Sequence, residues 1–188
     1  MKQVYLSDIP RLFTALAEWC ACLAFLYKRP LRFTGPRLWG VLGLGLAVQC
    51  FFLQLTDGLY IVLWLPCMAG AVGLMFALIF ICCRIPLTGT VYFTSCAFLV
   101  AEFAASLKWQ LYSYTKRFLG LEPKAWGTTI FSLVFLAGVY AVVFILLFWF
   151  MSRQEDPPNA FVFRAKELWP PVVISISCFL MSNLSFVY

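Results

Sequence analysis

The chain has 188 residues, 63% of them hydrophobic and 12% charged, with a mean hydropathy of +0.91. A soluble domain carries an apolar share nearer about 45–50%, so the composition excludes one and predicts an all-α, polytopic integral membrane protein with the lipid bilayer as its first partner. The net charge of +6 would suit nucleic acid as a patch, but Lys28, Arg29, Arg32 and Arg37 crowd into one short loop. That is the signature of a charged loop that orients a membrane chain, and no nucleic-acid partner is expected.

About six transmembrane helices are predicted, near residues 9–27, 38–55, 59–83, 88–114, 128–151 and 169–187, all within one membrane unit covering 1–188. Ser7 or Asp8 can cap the first, with Pro10 in its opening turn. Glu18 near its centre argues for a retained span and against a cleaved signal peptide. On that helix Arg11, Thr14, Glu18 and Cys22 share a face, being three, four and seven residues apart. The second span contains Gly40, Gly43 and Gly45 with no strand before them, which predicts close helix packing and not a phosphate cradle. Thr56, Asp57 and Gly58 make a tight turn into the third span, where Pro66 predicts a kink and Ala69 with Gly73 offers a second small-residue contact.

The fourth span organises the rest. Between Val91 and Tyr114 an apolar helix carries Glu102 and Lys108. At about 100° per residue, Ser95, Glu102, Ser106, Trp109 and Ser113 fall in one stripe, while Val100, Phe103 and Leu107 look elsewhere. The stripe is expected to face protein or water. An ionisable group in mid-bilayer costs about 3 kcal/mol on insertion scales, so it marks a functional site by default; the plainer alternative is a neutral, hydrogen-bonded glutamic acid acting as interhelical glue. The candidate intramembrane polar core is therefore Glu18, Glu102, Lys108, Trp109, Ser106 and Arg11. Trp19, Gln49 and Gln110 could join it in a pocket for a small or peptidic ligand.

The fifth span is free of charge and ends in Phe148, Trp149 and Phe150, which suit the interface belt. The sixth is expected to start at Trp169, Pro170 and Pro171, after the loop 152–167. With the first loop inside, eight basic residues fall on the inner side and five on the outer. The N-terminus is then extracellular, in the multi-pass arrangement of a bacterial plasma-membrane protein. An even number of spans leaves Tyr188 outside as well, and a chain ending in its own apolar segment reads as cut short.

Chemistry finds little support. There is no histidine, which removes the commonest general base, metal ligand and phosphoacceptor. The eight cysteines sit in or beside apolar runs as small hydrophobes, and neither Cys20 with Cys22 nor Cys82 with Cys83 makes a convincing metal site. A membrane cysteine endopeptidase of similar span count would need a Cys/His pair. No enzymatic activity, metal or cofactor is expected of this chain.

Three strings carry a family resemblance: Asp8-Ile9-Pro10-Arg11-Leu12-Phe13-Thr14-Ala15-Leu16-Ala17-Glu18-Trp19, Ala101-Glu102-Phe103-Ala104-Ala105-Ser106-Leu107-Lys108-Trp109-Gln110-Leu111-Tyr112, and Ser182-Asn183-Leu184-Ser185-Phe186. Together they resemble the N-terminal membrane region of GHKL-type sensor histidine kinases from Firmicutes, akin in architecture to peptide-sensing quorum receptors. The resemblance implies the sensor portion of a two-component system, with a homodimer and a cytoplasmic kinase beyond this chain. The alternative is the substrate-binding membrane subunit of a vitamin-type transporter: six spans in this length, and Ala17-x-x-x-Ala21 on the first helix, also resemble the energy-coupling-factor systems.

Overall fold

The computed structural model describes residues 11–27, 29–56, 61–119, 126–153 and 165–184. They form six helices in chain order: α1 (Arg11–Leu26), α2 (Pro36–Leu55), α3 (Ile61–Cys82), α4 (Leu87–Leu119), α5 (Trp126–Arg153) and α6 (Ala165–Leu184). Among the described residues there is no strand beyond one isolated bridge between Leu31 and Cys83. The all-α class expected from composition is what the chain adopts.

Among the described residues three helical stretches, fewer than the six expected, are long and apolar enough to cross a membrane: Pro36–Leu55, Leu87–Lys108 and Leu133–Arg153. Thr14–Leu26 and Pro66–Cys82 are shorter apolar stretches. The 16 residues of α1 extend about 24 Å against a hydrocarbon core of about 30 Å. Large apolar side chains cover the outer faces of the long helices, among them Leu44 and Phe51 of α2 and Val134, Ile145 and Leu146 of α5, all exposed. Water would penalise such surfaces heavily, whereas lipid would not.

Two boundaries depart furthest from expectation. Helix α4 runs on to Leu119, and α6 starts at Ala165, ahead of Trp169, so Pro170 and Pro171 lie inside it. The helix tolerates them because the carbonyls deprived of donors belong to Lys166 and Glu167 in its exposed opening turn. Helix α2 starts two residues ahead of the expected 38: Gly35, at φ 63°, takes a conformation other residues avoid, and Pro36, expected as a breaker, takes the first helical position.

Helices α1 and α4 form the centre. The first packs against α2, α3, α4 and α5, and the second against α1, α3, α5 and α6. Small residues permit this: Ala15, Ala17, Ala21 and Ala24 are buried on α1, and Ala97, Ala101 and Ala104 on α4. The apolar windows of α2 and α5 are 17% buried against 44% for that of α4, which marks the outer two as lipid-facing and α4 as interior. Of the glycines expected to pack closely, Gly45 does: a Cβ there would lie 2.6 Å from Leu78 Cδ1. Gly40, Gly43 and Gly73 face open space and Ala69 is exposed, so the expected Ala69/Gly73 contact is replaced by Gly70, where a Cβ would meet Phe52 Cζ at 3.0 Å.

The basic loop is more than a topology signal. The Arg32 amide donates to the Cys82 carbonyl at 2.7 Å, the Arg84 amide to Pro30 at 2.8 Å, and Arg32 Nε to the Cys83 carbonyl at 2.7 Å. The Arg32 guanidinium lies 5.1 Å from the Phe80 ring, and the buried Arg29 guanidinium 4.6 Å from that of Phe93. The link from α1 to α2 is thus strapped to the link from α3 to α4 at one end of the bundle. Arg32→Ala is expected to lower stability by about 1 kcal/mol, since the side chain is exposed and its charged hydrogen bond is partly screened. Thermal unfolding of the purified chain in detergent checks this, and an unchanged midpoint would mean the strap holds by backbone alone.

Candidate functional site

The α1 face that meets α2 carries two adjacent polar anchors. Trp19 Nε1 donates to the Leu42 carbonyl at 2.9 Å. One residue earlier, the buried Glu18 carboxyl accepts a hydrogen bond from Gln49 Nε2. Leu42 and Gln49 are seven residues apart and share the buried face of α2 with Leu53. The same Gln49 amide also lies 3.4 Å from the Ala71 carbonyl on α3. One side chain therefore joins three helices, inside packing that is otherwise apolar: Ala15, Leu53, Met68 and Ala71 form one cluster around it.

Helices α4 and α5 complete the surroundings. Glu102 is half-buried and close enough to Glu18 for the two carboxyls to act on one another's charge. Tyr140 of α5 packs with Ala17, Ala104 and Leu136, and its hydroxyl lies within electrostatic reach of both carboxyls. That hydroxyl is buried with no hydrogen-bond partner among the described residues. Lys108 is wholly enclosed, the largest such side chain described. It continues the inward face of Ala101 and Ala104, about 9 Å further along the axis than Glu102.

Of the residues singled out from sequence, Glu18 and Gln49 are brought into contact, and Lys108 is buried on the inward face of α4. Ser106 is not: it is exposed. The buried stripe of α4 runs through Thr90, Thr94, Ala97, Ala101, Ala104 and Lys108, and Ser106, two residues from Ala104 and from Lys108, is turned about 200° away from both. Glu102 sits on the flank of that stripe and not at its middle. Gln110 is exposed as well. The side chains of Arg11 and Trp109 lie outside the described residues. Cys20 and Cys22 point to different faces, one half-buried and the other fully buried, which takes them out of any shared metal site.

Sequence reasoning missed Tyr140. Its signal was available: it is the single tyrosine between Thr128 and Met151, placed at mid-span and not at the interface where tyrosines usually anchor. The hydroxyls of Thr90 and Thr94 are accounted for within α4, donating to the Pro86 and Thr90 carbonyls at 3.3 and 2.8 Å. Ser175 is a buried polar residue of α6, its Oγ 3.2 Å from the Ser95 carbonyl and 2.7 Å from that of Pro171. It ties α6 to α4 and stands apart from the carboxyls.

No protein-family model, curated protein or solved structure matches the chain. The small-residue pair that supported a transporter subunit is occupied internally, since Ala17 and Ala21 are 1% and 0% exposed against this chain's own helices. What the site offers chemically is a buried ionisable junction with amide, phenol and carboxyl groups.

Proposed function

We propose that the chain is the membrane sensor portion of a two-component histidine kinase. It would cross the bacterial plasma membrane six times with its N-terminus extracellular, and relay a change of helix packing to a cytoplasmic kinase carried beyond these residues. The observation that supports this reading is the Glu18–Gln49–Ala71 junction between α1, α2 and α3. A carboxyl costs too much in an apolar core to be an idle filler. A junction joining three helices through one amide is a place where a ligand that favoured a different packing would act, and such differential affinity is what a sensor requires. The resemblance of three strings to GHKL-type sensors adds the expectation of a homodimer and of a small or peptidic ligand.

Two experiments test it. Tagging the N-terminus at the chromosomal locus should reveal a product far heavier than the 21.4 kDa of this chain; a product of that mass would end the kinase reading and direct attention to transport partners and co-purifying small molecules. Glu102→Gln is expected to alter signalling output by several-fold while leaving the amount of inserted protein unchanged, as read by a reporter under the cognate regulator together with membrane fractionation. Loss of the protein from the membrane would instead assign Glu102 a purely structural part.

A further inference from the structure

Helices α1 and α5 run side by side, in contact where Ala17 meets Tyr140 and again where the Tyr27 and Phe148 rings pack, with centroids 4.3 Å apart. Along this seam lies an open groove of about 770 Å³. Leu16 and Cys20 line one wall and Ala141, Phe144 and Ile145 the other. From Tyr140 to Ser152 it follows α5 for about 18 Å, a little more than half of the roughly 30 Å hydrocarbon core. Its length is that of one leaflet.

The groove is graded along its axis. Its deep part is aliphatic and aromatic, and its shallow part brings in Trp149, Tyr27 and Ser152. Just beyond, in the last turn of α5, Arg153 holds its guanidinium 4.3 Å from the Trp149 ring. No carboxylate lines the groove among the described residues. Its shallow end opens on the strapped face of the bundle, the face that carries Arg29, Arg32, Arg37 and Arg84, with Lys166 and Glu167 of α6 offsetting one another.

We propose that this groove is a binding site for an anionic phospholipid of the leaflet on the basic face, one acyl chain lying between α1 and α5 and the phosphate of its headgroup meeting Arg153. The groove supplies apolar lining over one leaflet's depth, aromatic groups at the level where the chain ends, and a cation held in place at the headgroup level. The lipid site stands independently of the sensor reading, because it uses none of the residues of the buried junction as contacts to the headgroup.

The test is native mass spectrometry of the full chain extracted from nanodiscs of equal phosphatidylglycerol and phosphatidylcholine. One juxtamembrane cation gives about a fivefold preference for the anionic lipid, and that preference is the expected result for the unmodified chain. Arg153→Gln should bring the two lipids to parity. Ala141→Trp, at an exposed position whose new side chain would fill the groove, should reduce retention of both lipids severalfold. Equal retention of the two lipids by the unmodified chain, or undiminished retention by the Ala141→Trp variant, overturns the proposal. It is also overturned if Ala141→Trp abolishes a dimer and leaves lipid retention intact, since the groove would then belong to a second copy of the chain.

Discussion

Replacing Gln49 with leucine is expected to destabilise the protein by about 2 kcal/mol, although the two side chains are similar in size. The loss comes from the partner left behind. Glu18 would keep a carboxyl buried in packing with its described hydrogen-bond donor gone, and a buried acceptor without a partner costs about 1–3 kcal/mol. Glu18→Leu alone should cost less, near 1 kcal/mol, because the Gln49 amide retains the Ala71 carbonyl as an acceptor. Combining the two should recover most of the loss, for an apolar pair of matching shape leaves nothing unsatisfied. The thermodynamic cycle, measured by thermal unfolding in detergent, should thus return a coupling near the upper end of interhelical hydrogen bonds in membranes, about 1–2 kcal/mol. Additive losses would show that the two side chains do not meet in the folded protein.

The second large effect is steric. Ala104 is fully buried where α4, α1 and α5 approach one another, against Ala17, Leu136 and Tyr140. Ala104→Leu adds three carbons where three helices close, and overpacking of a rigid core costs about 3 kcal/mol or more. Ala137→Leu, on the exposed side of α5, adds the same atoms against lipid and should stay within about 0.5 kcal/mol. The comparison is read as folded yield and unfolding temperature of the two variants side by side. Equal tolerance would mean that α4 does not face inward at Ala104, and with it would fall the placing of Glu102 on the flank of the buried stripe.

How much of this was legible from residues alone depends on what each signal measures. The helices follow from apolar run length, because the bilayer leaves the backbone no other way to satisfy its hydrogen bonds. Glu18, Gln49 and Glu102 were legible as lone polar groups in apolar runs, since their cost demands a partner. The direction in which α4 turns was not. A stripe drawn through its polar residues placed Ser106 inward, whereas the helix is oriented by Ala97, Ala101 and Ala104. In lipid there is no solvent-driven penalty for an outward leucine, so close approach of backbones over small residues sets the rotation and polar groups accept what remains. Tyr140 was hidden for a related reason: eight tyrosines and twenty phenylalanines dilute any one aromatic, and its neighbourhood is made by α1 and α4 jointly. The use of Arg32 against the Cys83 carbonyl involves two links separated by 51 positions, a distance over which periodicity carries no information.

That separation sets a schedule for biosynthesis. The strap on the basic face needs the carbonyls of Cys82 and Cys83, so the link between the first two helices emerges from the ribosome before the groups that strap it. At about 5–20 residues per second, the interval between the synthesis of Arg32 and that of its acceptor is roughly 3–10 s. During that interval Arg32 is an ordinary loop cation. Once Cys83 is made its guanidinium becomes a fastener, and Arg29 follows only when Phe93 of α4 is in place.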